Sequence, residues 1–151
     1  DPCNKKSSGD VQELRSYQAF IGSILDYRSP YHDALVYHGL GAGKTVLVQG
    51  IGQALGIKSV TSPTFVISKS YPATLPLIHV DAYRLLDTEN PNLYIDDLDL
   101  DIENSVTIIE WGGAESARLS EDRLEIFIDR SDEIRRVEIT CVGKRWAGFS
   151  L

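Results

Sequence analysis

The sequence predicts an α/β fold, a mixed sheet with flanking helices, and three observations predict it. Short apolar runs end in carboxylates at Asp81 and Glu110, which is how buried parallel strands deliver polar groups to their C-terminal edge. Segments with a 3.6-residue apolar period precede and separate the strand-like runs. Near the end of the chain, Leu124 to Ile128 and Val137 to Cys141 alternate in and out, and with Arg130 to Glu133 between them they read as an antiparallel hairpin.

Taken in order, the first ten residues are polar and are expected to be flexible. Val11, Leu14, Ile21, Ile24 and Leu25 share one helical face, so a helix is expected from about Val11 to Asp26, broken by Arg28, Ser29 and Pro30. Ala34 to Tyr37 is a buried-strand pattern leading into a glycine-rich turn. From Gly43 onward Val46, Leu47, Ile51, Ala54 and Leu55 recur at helical spacing until Gly56, a natural left-handed stop. Thr64 to Ser70 and Pro76 to Asp81 read as strands around a Tyr-Pro turn, and Ser105 to Glu110 as a further buried strand. No repeat or linker splits the chain, so its 151 residues are read as a single domain over 1–151.

Composition narrows the function classes. Lys and Arg number 15 against 22 Asp and Glu, a net charge of −7, so the summed field repels a phosphate backbone and any nucleic-acid contact must be local. No apolar run approaches the roughly 18 residues that cross a bilayer, and the opening DPCNKKSSGD lacks a signal-peptide core. The two cysteines, Cys3 and Cys141, have no metal-ligand spacing. A reducing, cytoplasmic setting is therefore expected, with Cys141 an inert inward residue. With Asp1 first and no methionine anywhere, the native start is expected upstream of this sequence.

The strongest signal is Gly39-Leu40-Gly41-Ala42-Gly43-Lys44-Thr45 between a predicted strand and a predicted helix, the context a P-loop requires. Glycines there let successive backbone N–H groups turn inward around a phosphate chain, and the helix N-terminus adds partial positive charge. Lys44 is placed to reach the β and γ phosphates, and the Thr45 hydroxyl to reach Mg2+. The bland alternative is a glycine turn that caps a helix and binds nothing. The full pattern has glycine five places before Gly43, where this chain has His38, so either His38 replaces that glycine or Gly39 takes its role in a loop one residue shorter. A P-loop also needs an acidic group at the end of a neighbouring strand, and Asp81 and Glu110 both meet that description.

Beyond the loop, the set Gly41 to Thr45 (GAGKT), Thr61 to Phe65 (TSPTF), His79 to Leu85 (HVDAYRL) and Ile109 to Gly112 (IEWG) resembles, in order and spacing, the TsaE family of small bacterial P-loop ATPases. The resemblance implies a role in tRNA threonylcarbamoyladenosine (t6A) synthesis. The resemblance covers about Gly22 to Ile128. It implies a P-loop NTPase-like fold and an ATPase that works with TsaB and TsaD and meets tRNA indirectly through them; with the composition above, a cytoplasmic protein and no membrane partner are expected. It further implies that Gly41, Ala42, Gly43, Lys44, Thr45 and Val46 hold ATP, that Thr45 and Glu110 bind Mg2+, and that Lys44, Asp81 and Glu110 serve catalysis. Thr64 is then on a nucleotide-responsive segment, and Trp111 at the nucleotide site or the partner surface.

Other features have bland readings. The acidic run Asp96, Asp97, Asp99, Asp101 and Glu103 lacks the glycine and glutamate a calcium loop from Asp97 needs, having Ile102 and Ile108 there; the default is a solvated segment, of a charge that suits a basic partner. His79 is expected to be a packed or hydrogen-bonded core residue. Arg84 is either a phosphate-stabilising arginine or an ion-pair partner in the Asp87 region. Two rival functions stand beside the ATPase: a small-molecule kinase, for which no arginine-rich lid is found near the loop, and a nucleotide-binding scaffold without turnover.

Overall fold

The two apolar runs that end in carboxylates become neighbouring strands. The structure is a computed structural model that describes residues 5–9, 35–38, 44–63, 65–129 and 135–147. Among these, seven strands form one sheet: β1 (Lys5–Gly9), β2 (Leu35–His38), β3 (Ser68–Tyr71), β4 (Leu77–Asp81), β5 (Val106–Glu110), β6 (Arg123–Asp129) and β7 (Arg135–Val142). Their order is β1-β7-β6-β2-β5-β4-β3. The pairs β4/β5, β5/β2 and β2/β6 are parallel, and β3, β7 and β1 add antiparallel edges. The mixed sheet read from the sequence is thus the observed one, with its parallel strands at the centre.

Every residue of β5 is buried, as are the first four of β4, because both faces of these strands are covered. On one face Leu77, Val106 and Ile108 pack with Leu47, Val48 and Ile51 of helix α1 (Lys44–Ala54). On the other, Ile78, Val80 and Ile109 pack with Leu85 and Ile95. Leu85 closes a 3-10 turn over Tyr83–Leu85, and Ile95 belongs to the short helix α2 (Pro91–Asp96). Burial on both sides is why these strands read as continuous apolar runs and not as alternating ones. By contrast β6 alternates, with Leu124, Ile126 and Ile128 buried and Phe127 half exposed. Its antiparallel pairing with β7, Ile126 opposite Ile139, makes the expected hairpin.

Helix α1 ends as Gly56 predicts. Gly56 has φ of +80°, its N–H donates to the Gln53 carbonyl, and the Ile57 N–H donates to the Gly52 carbonyl. These are the paired 5→2 and 6→1 bonds of a Schellman stop. The chain then returns so that Val60 packs directly on Gly52.

Three readings are corrected. The strand expected over Thr64 to Ser70 begins only at Ser68: Phe65 and Val66 are exposed and find no core face, and Pro63 upstream has no N–H for a ladder. Cys141, expected as an inert inward residue, is disulfide-bonded, which removes the cysteine argument for a reducing compartment; the spacing of two cysteines in a sequence does not say whether the fold brings them together. Arg84 is exposed and makes no ion pair with Asp87 among the described residues. In the acidic run, Asp96 pairs with Arg118 of the α3 (Gly113–Ala117) C-terminus at 2.6 Å, and Asp101 accepts from Asn104 at 2.8 Å. The expected helix from Val11 to Asp26, the loop positions 39–43, Thr64 and the link Arg130 to Glu133 lie outside the described residues. Among the described residues no helix is long and apolar enough to cross a membrane.

Gly52 offers a stability test. Alanine exceeds glycine as a helix former by about 1 kcal/mol, but a Cβ at Gly52 would collide with the Val60 side chain, and overpacking of this kind costs about 1–3 kcal/mol. Gly52→Ala is therefore expected to lower the urea unfolding free energy by about 1 kcal/mol. In a Val60→Ala background, where the obstacle is gone, the same change is expected to stabilise; equal effects in both backgrounds would refute the contact.

Candidate active site

The candidate site forms where three parallel strands end together. His38 of β2 is opposite Glu110 of β5, and Glu110 is opposite Asp81 of β4. Side chains alternate along a strand, so Leu77, His79 and Asp81 share one face of β4, while Val106, Ile108 and Glu110 share the same face of β5. That face is the one α1 covers. The first residue of α1, Lys44, consequently meets the polar ends of two strands whose earlier positions are core.

Lys44 is 6% exposed, and its Nζ is 3.6 Å from Glu110 Oε2 and 3.5 Å from the centroid of the Trp111 ring. A cation over an indole face is held by the ring quadrupole. Burial pushes the Lys44 ammonium below the usual lysine range, and the charges of Glu110 and, second, Asp81 oppose that shift. The site thus holds a lysine whose desolvation is offset by carboxylates.

Glu110 is 5% exposed and engaged at both oxygens: Oε2 faces Lys44, and Oε1 is 2.9 Å from His79 Nε2. His79 is fully buried, as expected of a packed and hydrogen-bonded residue. Asp81 is partly exposed; its Oδ1 accepts the Tyr83 N–H at 3.1 Å, and its own N–H donates to the Ile67 carbonyl at 2.8 Å. An aspartate bonding the amide two residues on is a local turn device, so Asp81 both ends β4 and starts the 3-10 turn.

Trp111 follows Glu110 with φ of +63°. The left-handed region costs a bulky residue about 1–2 kcal/mol. It turns the chain sharply at the strand end and lays the indole over Lys44. The Tyr83 ring packs against Trp111, its centroid 5.0 Å from that of the indole at 56°. The Ala82 N–H donates to the Glu110 carbonyl at 2.9 Å and ties the two strand ends together.

The segment around Thr64 is fixed at its flanks. The Tyr71 hydroxyl accepts the Thr61 N–H at 3.0 Å and donates to the Thr61 carbonyl at 2.9 Å, while Lys69 Nζ donates to Thr61 Oγ1 at 2.8 Å. Phe65, by contrast, is 93% exposed.

The sequence-predicted residues distribute as follows. Lys44 and Glu110 are in contact, Asp81 stands in register beside Glu110, and Thr45 and Val46 continue the first turn of α1, Thr45 half-buried and Val46 exposed. Gly41, Ala42 and Gly43 lie outside the described residues. Two residues that the sequence does not single out complete the site, His79 as the partner of Glu110 and Tyr83 packed against Trp111. The available signals were the alternation that puts His79 on the Asp81 side of its strand and the D-x-Y spacing. Among the described residues no group of three His, Cys, Asp or Glu could by itself hold a metal ion.

The sequence model described as "Threonylcarbamoyl adenosine biosynthesis protein TsaE" matches residues 10–138. A tRNA threonylcarbamoyladenosine biosynthesis protein TsaE from Streptomyces coelicolor is 47% identical over 119 residues, spanning 72% of this chain and 78% of that protein. The Bacillus subtilis protein of the same name is 40% identical over 118 residues, 76% of this chain and 73% of that one. Among solved structures, the crystal structure of Bacillus subtilis YdiB superposes with a TM-score of 0.68 at 26% identity, over 95% of this chain and 90% of that chain. With the family match running from before the predicted loop into β7, and relatives this similar over most of their lengths, the chain belongs to the TsaE family.

Proposed function

We propose that this chain binds ATP with Mg2+ and hydrolyses it as the ATPase of tRNA threonylcarbamoyladenosine synthesis, working with TsaB and TsaD and meeting tRNA through them. The observation that carries this reading is the contact of Lys44 with Glu110 at 3.6 Å, a P-loop lysine beside a buried strand-end acid. The relatives' names place them in threonylcarbamoyladenosine biosynthesis, and the net charge of −7 accords with tRNA being held by partners.

The donor set fits Mg2+. That ion takes one or two carboxylates together with substrate phosphates and waters, and not an all-protein cage, so one buried carboxylate and a threonine at the helix start suffice. Thr45 and Glu110 would hold it, and when bound it neutralises charge on the β and γ oxygens. Lys44 and the N–H groups at the start of α1 bind the phosphates. Both Glu110 oxygens are engaged, whereas Asp81 is partly exposed and fixed by a single amide; this favours Asp81 as the group that orients the attacking water.

Lys44→Ala and Glu110→Ala are each expected to lower kcat/KM for ATP by about 100-fold or more, the usual consequence of removing one electrostatic element of a site. Phosphate release measured with and without TsaB and TsaD checks this. Stimulation by the partners, lost in both variants, supports the ATPase; phosphate transferred to a small acceptor would establish the kinase instead, and tight binding without turnover the scaffold.

Trp111 supplies a binding signal. A triphosphate competes with the indole for the Lys44 ammonium, so nucleotide is expected to change tryptophan emission. The second tryptophan, Trp146, is buried in the first core. Titration of Trp111→Phe is expected to show no such change, and a persisting signal would place its origin elsewhere.

A further inference from the structure

We infer that His79 is a positioning residue for Glu110: its imidazole holds one carboxylate oxygen inward, so that the other, beside Lys44, is the oxygen presented to Mg2+. The inference rests on the reading above for what Glu110 serves, but the His79–Glu110 contact itself stands independently of it.

Packing does not explain an imidazole at this position. His79 is wholly buried in a strand whose neighbours Leu77, Ile78 and Val80 are aliphatic, and its cross-strand partner on β5 is Ile108. Its Nδ1 is buried and has no hydrogen-bond partner among the described residues, an arrangement that disfavours histidine against a leucine or valine of similar volume. The compensating interaction is at the other nitrogen, 2.9 Å from Glu110 Oε1. An ionised carboxylate only accepts hydrogen bonds, so beside the Lys44 cation the proton is on Nε2 whatever the total charge of the ring.

The consequence is selection between two oxygens. Oε1 is committed to His79 in a place water does not reach, and Oε2 is left at 3.6 Å from Lys44 Nζ. A carboxylate held this way cannot rotate to offer both oxygens to one ion. Partners that orient a metal-binding side chain in this manner commonly change metal affinity or activity by about 10–100-fold when removed.

The test compares His79→Leu, which fills the space without a donor, with His79→Gln, whose amide N–H reaches about as far as Nε2. Mg2+ affinity is read from binding of a non-hydrolysable ATP analogue, with metal-free nucleotide binding measured in parallel. His79→Leu is expected to need about 10–100-fold more Mg2+ while metal-free binding stays within about twofold of wild type, and His79→Gln to recover most of the loss. A leucine variant with wild-type Mg2+ dependence overturns the inference, as does a glutamine variant that is folded yet no better than leucine. Nitrogen-15 spectra of the nucleotide-free wild-type chain need no His79 variant: an Nε2–H signal that shifts in Glu110→Ala supports the contact, and an Nδ1–H tautomer refutes it. If the wild-type chain binds no Mg2+-nucleotide at all, the proposed ATPase falls while the imidazole spectrum still decides the role of His79.

Discussion

A carboxylate buried to the extent of Glu110 is tolerable only because charged and hydrogen-bonding groups meet it, Lys44 and His79 among them. Removing a carboxylate from water costs several kcal/mol, and the cost is recovered only by a close opposite charge and by hydrogen bonds to its oxygens. Lys44 supplies the first and His79 the second. Each is useful only if three elements keep their relative positions: β5 for the acid, β4 for the imidazole and α1 for the ammonium. Lys44 is subject to the same constraint in reverse, since its burial is opposed by the charges of Glu110 and Asp81. The ion pair is thus both a product of the fold and a condition on it, and breaking either side leaves a buried charge less well compensated.

The parallel centre of the sheet provides this alignment. Parallel strands end on the same side, so β2, β4 and β5 bring His38, Asp81 and Glu110 to one edge in direct register. The helix after β2 returns over the face carrying Leu77 and Ile108, which brings its first residue over the carboxylate end of that same face. Had β4 run antiparallel to β5, Asp81 and Glu110 would stand at opposite edges and no single lysine could sense both. The antiparallel additions at β3, β7 and β1 extend the sheet without disturbing the edge where the polar groups gather.

Much of this could be read from the residues themselves. The runs before Asp81 and Glu110 are apolar because both faces of β4 and β5 are covered, and a strand so covered has few alternatives to a central parallel position. Gly56 announces the end of α1 because a left-handed stop favours it. What could not be read follows equally from physics. Phe65 and Val66 look like strand residues by composition, but β-propensity reflects fit to a half-buried surface and no surface covers them. The partnership of His79 with Glu110 joins residues on different strands, and only the Asp81–Glu110 register, invisible in one sequence, brings them together.

Trp111 shows why the turn after Glu110 is made by a residue that pays conformationally for its position. Glycine would adopt φ of +63° more easily, and Gly113 does adopt φ of +62° two residues later. Glycine, however, has no ring to stack on Lys44. The left-handed conformation bends the backbone away at once from the line of β5, so the side chain following Glu110 returns over the strand end and does not continue along it. There the indole covers one side of the ammonium at 3.5 Å, and the Tyr83 ring packs against the indole in turn. Cation over ring is worth about 0.5–2 kcal/mol depending on exposure, comparable to the local strain of about 1–2 kcal/mol. The two offset each other, so the tryptophan adds little to net stability, and its effect is on where the lysine is held. A residue that is nearly neutral for folding yet fixes the buried ammonium beside Glu110 belongs to the site and not to the core.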